Sequence, residues 1–133
     1  IGGLMQGCEL ADFLVKRGRT VTIVESTDQI GTGIHEINKR RMIPWLEKKG
    51  VVMFTGVTYQ AVVDRGLTII TKEGEEKTIK ADSVLIATPP IIDLQLYTGL
   101  KDKAKEVFQI GDCKEPRMII DAVSDGSRIA RII

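Results

Sequence analysis

The 133-residue chain is poor in the residues that mark many functional classes. Two cysteines, Cys8 and Cys113, stand near opposite ends and form neither a Cys-x-x-Cys pair nor a metal-type cluster. That spacing argues against a disulfide scaffold or a structural zinc. No apolar run approaches the ~20 residues needed to cross a bilayer, and no charged-then-apolar leader opens the chain. Neither sign of charge dominates: 19 basic and 18 acidic residues leave a net +1, so no long-range field draws a nucleic acid or an anionic membrane. The expectation is a soluble, cytoplasmic protein. What is present is ordinary globular composition, 43% apolar and 28% charged, sufficient for a core and unlike a disordered segment. Ile1 stands directly before Gly2-Gly3 with no methionine, which reads as a cut through a larger protein.

Hydrophobic spacing sets out the expected elements. Leu4, Gly7, Cys8, Ala11, Leu14 and Val15 recur at helical steps, with Lys16 and Arg17 in the last turn and Gly18 as a left-handed stop. Thr20–Glu25 is a short β-branched run suited to a buried parallel strand, and Val51–Phe54 reads as a second. Between them Gly31–Gly50 is helical in pattern, interrupted by Pro44, which predicts a kink or a fresh helix with Pro44 in its first turn. Tyr59–Val63, Leu67–Lys72 and Lys77–Lys80, separated by turn residues, predict an antiparallel meander. Ser83–Ala87 and Val107–Ile110 predict further strands, and Ile119–Ile133 a closing helix. The fold class expected is α/β: a Rossmann-like FAD/NAD(P)-binding domain, its parallel sheet flanked by helices, with an antiparallel β-meander crossover.

The chemistry-bearing pattern is a glycine turn that opens a helix, followed by a strand ending in an acid. Backbone N–H groups at a helix amino end are unpaired and partly positive, so a pyrophosphate fits there where the chain comes close. Gly2 and Gly7 occupy the outer positions of a G-x-G-x-x-G fingerprint, with Leu4 in place of the middle glycine and Gly3 beside it. Glu25 ends the next strand, where a carboxylate accepts hydrogen bonds from an adenosine ribose and repels a 2′-phosphate. The preference is NAD over NADP, with Lys39, Arg40 and Arg41 as the charges that would favour the latter. The plainer reading is a tight turn for helix–strand packing, with Glu25 a solvated strand end. Gly111-Asp112 places a second carboxylate after a strand, able to accept from a polyol, although Gly-Asp is an everyday turn.

The other conspicuous residues read as structural. Cys8 at a helix start suits a lowered thiol pKa, but a small packed residue is the expected role, and Cys113 reads the same way. His35 has no nucleophile nearby in sequence and belongs on a helix surface. Trp45 and Met42 read as core or as the lid over the sheet. No side chain stands out as a catalytic acid, base or nucleophile.

Taken in order, the glycine turn with Gly7-Cys8-Glu9, the Val21–Glu25 strand, the meander, Ala81–Thr88, Ile110–Arg117 and Asp121–Ala130 resemble one family. It is the C-terminal part of the NADH:flavin oxidoreductases of the 2,4-dienoyl-CoA reductase, enoate reductase and trimethylamine dehydrogenase group. The resemblance covers nearly the whole chain. It implies an NAD(P)-binding domain over residues 1–91, its first strand largely missing, and a C-terminal segment of an FAD-binding domain over 92–133. It implies that Gly2, Gly3, Gly7 and Glu25 belong to the nicotinamide-nucleotide site, that Glu9 faces the nicotinamide side, and that Gly111 and Asp112 hold the flavin ribityl chain. It also implies an N-terminal barrel bearing FMN and an iron–sulfur cluster, none of which these residues encode.

Two departures stand out: Leu4 in the fingerprint, and Pro89 after Ala87-Thr88 where a glycine is usual. The implied activity is hydride transfer from NADH to FAD in the parent enzyme, with the isolated chain inactive. The alternatives are a degenerate, non-binding docking domain of such an enzyme, and part of a pyridine nucleotide-disulfide reductase, for which no paired redox cysteines are visible. The strand before the glycine turn is normally central, and only Ile1 of it is present. Either it lies outside this sequence or another strand fills the gap, Phe108–Gly111 being the candidate.

Overall fold

The computed structural model describes all residues, Ile1–Ile133. Two compact units are present, Ile1–Thr88 and Pro89–Ile133. The first contains α1 (Met5–Val15), β1 (Thr22–Val24), α2 (Glu36–Lys48), β2 (Val52–Phe54) and three further strands, β3 (Thr58–Val63), β4 (Gly66–Ile70) and β5 (Glu76–Lys80). β1 and β2 pair in parallel, with Ile23 opposite Met53. α2 forms the crossover between them, as a parallel connection requires. β3, β4 and β5 form the antiparallel meander, with a register shift between Tyr59 and Ala61. The α/β class with a parallel sheet, flanking helices and meander is the expected one.

Period-two alternation in β1 explains how these parts stack. Ile23 points into a cluster with Cys8 and Ala11 of α1, Leu46 of α2, and Val51. Its neighbour Val24 points the other way, into a cluster with Val57, Leu67 and Ile69 beneath the meander. Burying each such aliphatic side chain contributes roughly 1.5–3 kcal/mol, so β1 is held from both faces despite its three residues. The Tyr59 hydroxyl donates to the Val24 carbonyl at 3.3 Å and ties the meander to the strand. Gly18 ends the α1 region at φ +72°, the left-handed stop its position suggested.

Three local expectations need correction. α2 runs as one helix through Pro44, so of the two alternatives the fresh helix with Pro44 in its first turn is the one that falls. Leu46 is fully buried, and Met42, Ile43 and Trp45 pack on the same cluster, so tertiary burial outweighs a helix-interior proline's cost of about 3 kcal/mol. Ser83–Ala87 does not form a strand in a ladder. Ile1 is its backbone hydrogen-bond partner, donating from its amino group to Leu85 at 2.6 Å and accepting from Ala87 at 2.7 Å. A ladder needs consecutive partners, and one residue supplies two bonds. Val107–Ile110 is likewise no strand, because the unit that contains it has no other strand to pair with. Phe108–Gly111 therefore does not substitute for a central strand: the only ladder partner of β1 is β2.

The second unit contains a short helix α3 (Gln95–Leu100), a 3-10 turn at Gly111–Cys113, and α4 (Ile119–Ile129). α4 starts where the Asp121 carboxylate accepts the Met118 N–H at 3.1 Å. Its apolar residues Ile119, Ile120 and Val123 are exposed, and the single buried residue of this unit is a charged one, Asp125.

Candidate functional site

The glycine turn lies where β1 ends and α1 begins. Gly2 donates to the Val24 carbonyl at 2.8 Å and adopts φ +101°, a conformation that favours glycine. A Cβ there would sit 2.7 Å from the Ala87 carbonyl oxygen. A Cβ on Gly7 would overlap the Gly2 carbonyl, and one on Gly3 would strike the Ile30 side chain. All three glycines thus permit close approaches among the chain's own segments. Leu4 is the N-cap of α1, in extended conformation and partly buried, and it makes no side-chain capping bond.

Helix α1 presents its amino end with several backbone donors outside the helical ladder. Met5 donates to the Thr32 carbonyl, and the helical ladder begins with the Cys8 N–H on the Leu4 carbonyl. The N–H groups of Gln6 and Gly7 would need the carbonyls of Gly2 and Gly3, which precede the helix, and the Gly3 carbonyl already accepts from Gly31 at 2.7 Å. The loop from Ser26 to Ile34 therefore lies against the turn and takes up part of its hydrogen-bonding capacity. What is left is the N–H groups of Gln6 and Gly7 at a helix start, donors of the kind that bind anions.

Glu25 is not a solvated strand end. It is 4% exposed. Its Oε2 accepts the Gly3 N–H at 2.7 Å, while Oε1 accepts the Thr27 N–H at 2.8 Å and the Ser26 hydroxyl at 3.3 Å. Burial pushes its carboxyl pKa up, but the Gly3 and Thr27 amides, aided by the Thr27 and Ser26 side chains, outweigh burial and hold it below its ordinary value. The acid is thus ionised and fastened to the glycine turn. Sequence spacing located Glu25 but gave no sign of Thr27, Ser26 or Thr32, whose part depends on the path of the loop.

The remaining nucleotide-site candidates differ in environment. Glu9 is exposed on α1. Arg40 pairs with Glu36 one turn away at 3.0 Å, a solvated helix pair. Cys8 is fully buried and donates weakly to the Gly3 carbonyl at 3.4 Å; burial is the main cause that pushes its thiol pKa up, opposite to an activated cysteine. His35 is exposed at the start of α2.

In the second unit, Gly111 adopts φ +62°, and a Cβ there would come 3.3 Å from the Cβ of Ala122 on α4. Glycine lets the turn lie on the helix. Asp112 follows with an exposed carboxylate that enters none of this unit's ion pairs. A free acid on a close-packed turn suits a polyol such as a ribityl chain. On α4, Asp125 accepts from Lys114 at 2.9 Å, Arg117 at 3.2 Å and Arg128 at 3.2 Å. The Lys114 hydrogen bond leads the causes that lower its pKa. Sequence reading passed over Asp125, although its i,i+3 spacing to Arg128 was visible. No cluster of three His, Cys, Asp or Glu residues is arranged to hold a metal ion, and no helix is long and apolar enough to cross a membrane.

The chain is similar in sequence or fold to several known proteins. The NADH oxidase of Thermoanaerobacter brockii is 35% identical over 131 residues, spanning 98% of this chain and 20% of that protein. The dihydrolipoyl dehydrogenase of Bacillus subtilis is 35% identical over 100 residues, covering 72% of this chain and 22% of its own length. A solved 2-naphthoyl-CoA reductase in complex with 2-naphthoyl-CoA superposes with a TM-score of 0.78 at 29% identity, over 94% of this chain and 19% of that one. The chain thus spans about a fifth of the length of these relatives. The family of pyridine nucleotide-disulphide oxidoreductases matches residues 1–126. With that match running from the glycine turn through the Gly111-Asp112 turn and into α4, the chain belongs to the pyridine nucleotide-disulphide oxidoreductase family, among the flavin- and pyridine-nucleotide-dependent oxidoreductases.

Proposed function

We infer that this chain is the nucleotide-binding part of a cytoplasmic flavoprotein that passes hydride from NADH to FAD. Residues 1–91 form the NAD(P)-binding domain in this reading, and 92–133 a segment of the FAD-binding domain. The observation that carries it is the ionised Glu25 carboxylate fastened to the Gly3 amide at the amino end of α1. In this reading the carboxylate fixes the turn, and its negative charge disfavours a 2′-phosphate on a dinucleotide bound there, so NAD is preferred to NADP. Gly2, Gly3 and Gly7 serve the diphosphate site by letting the turn pack tightly on the chain's own segments at the amino end of α1, Glu9 faces the nicotinamide side, and Gly111-Asp112 accepts the flavin ribityl hydroxyls. When bound, the nicotinamide and flavin supply the redox chemistry; the chain binds and orients them. An N-terminal barrel with FMN and an iron–sulfur cluster, as in 2,4-dienoyl-CoA reductase-like enzymes, is the partner that would receive the electrons.

A second reading, favoured by the identity to a dihydrolipoyl dehydrogenase, is that the electrons go to a disulfide. Residues 1–88 contain Cys8 alone and 89–133 contain Cys113 alone, so the redox pair would lie elsewhere in the parent protein. Titration of the parent flavoprotein with NADH under anaerobic conditions tests the proposal: the flavin's visible absorbance falls, and Glu25→Ala weakens the NADH dependence. Absence of NADH binding in both wild type and Leu4→Gly would instead identify a degenerate docking domain. Two reactive thiols appearing on reduction would favour the disulfide acceptor.

A further inference from the structure

The turn that carries Asp112 lies on α4 where Gly111 meets Ala122, but it buries no side chain of its own. Gly111 and Cys113 bury no side chain in a core, and Phe108 and Ile110 are exposed. Two local bonds shape the turn, from the Cys113 thiol to the Ile110 carbonyl at 2.9 Å and from the Gln109 amide to the Cys113 carbonyl at 3.3 Å. Neither bond ties it to α4. The polar ties to the helix run through the residues just after it: Lys114 and Arg117 both reach the buried Asp125, and Arg117 also lies 3.6 Å from Asp121 and 3.3 Å from Glu115. Arg128 approaches Asp125 from the following turn of the helix. One carboxylate thus gathers three cations and joins the segment 114–117 to α4.

We propose that Asp125 is a positioning residue for flavin: through Lys114 and Arg117 it holds the Gly111–Asp112 turn on α4, so that the Asp112 carboxylate is fixed where ribityl hydroxyls are recognised. The proposal rests on the flavin reading of that turn given above. Charge and reach both matter to it. An asparagine retains one acceptor oxygen but cannot balance two or three cations, and a glutamate retains the charge with one more methylene, which displaces the segment it holds.

The test is made in the parent flavoprotein with Asp125→Asn, Asp112→Ala and the double variant, reading the equilibrium constant for FAD release and the visible circular dichroism of the bound flavin. Each single variant is expected to weaken FAD retention by about tenfold, the scale of losing a hydrogen bond to a charged group. The double variant is expected to resemble Asp112→Ala alone, since one residue acts through the other. Wild-type FAD retention in Asp125→Asn, or losses that add in full, would overturn the proposal. Should Asp112→Ala leave FAD in place while Asp125→Asn releases it, the flavin reading of the turn falls first, and the positioning role with it. If Asp125→Asn does not fold, Asp125→Glu takes its place: a several-fold loss of FAD affinity at unchanged melting temperature supports the role, and wild-type affinity rejects it.

Discussion

The Glu25 carboxylate accepts the Gly3 amide at 2.7 Å, joining the end of β1 to the start of α1 across 22 positions of sequence. Glu25→Gln removes the charge and brings an amide group that competes with the Gly3 and Thr27 donors for the same space. With at least one donor left unsatisfied, the expected loss of stability is about 1–3 kcal/mol, measured by urea unfolding at neutral pH.

The same bond gives a pH signature. The native Glu25 pKa is lowered, so in acid the unfolded chain binds a proton more readily than the folded one, and stability rises with pH through that window. The contribution of Glu25 is complete above the ordinary carboxylate range and is lost as pH falls through its lowered native value. Urea midpoints collected from neutral to acid pH should fall in that window for wild type and show a smaller dependence in Glu25→Gln. Equal slopes for the two proteins would remove Glu25 from the account.

Gly7 offers a contest of two effects. Alanine is favoured over glycine in a helix by about 1 kcal/mol, yet a Cβ at this position overlaps the Gly2 carbonyl, which is backbone and has no rotamer to yield. Overpacking of this kind costs typically 1–3 kcal/mol or more, so Gly7→Ala is expected to lower the melting temperature. A rise in melting temperature would show that the helix start can shift to admit the methyl group.

Elements whose pattern repeats locally were legible in the sequence. The helical spacing of Leu4 to Val15, the β-branched run into Glu25 and the meander turns all describe the observed fold, because side-chain period and turn chemistry act over a few residues. Ser83–Ala87 and Val107–Ile110 have strand composition but no ladder, since a strand needs a neighbour and composition does not supply one. At the site, glycine spacing and the acid at the strand end could be read, whereas the Thr32 carbonyl on Met5 and the cations around Asp125 depend on how distant segments return.

The two thiols should separate in a labelling experiment. Cys8 is fully buried with its pKa raised, chiefly by burial, and Cys113 is exposed. A small thiol reagent at neutral pH should add once to the native chain, at Cys113, and a second time only after unfolding, as mass spectrometry would show. Rapid labelling of Cys8 under native conditions would mean that the α1–β1 packing opens readily.

Pro44 carries a stabilisation that the chain does not use. It lies inside α2 with its ring exposed, so replacing it sacrifices no buried contact, and its missing N–H leaves the Arg40 carbonyl without the usual helical partner. Pro44→Ala restores that donor and removes a steric cost of about 3 kcal/mol, against an unfolded-state entropy penalty of about 0.4–1 kcal/mol for losing a proline. The favourable term is larger, and the expected outcome is a gain of about 2 kcal/mol in urea unfolding with unchanged NADH binding, because Pro44 touches neither the glycine turn nor Glu25. A loss of stability would show that the proline fixes a bend the buried Leu46 requires.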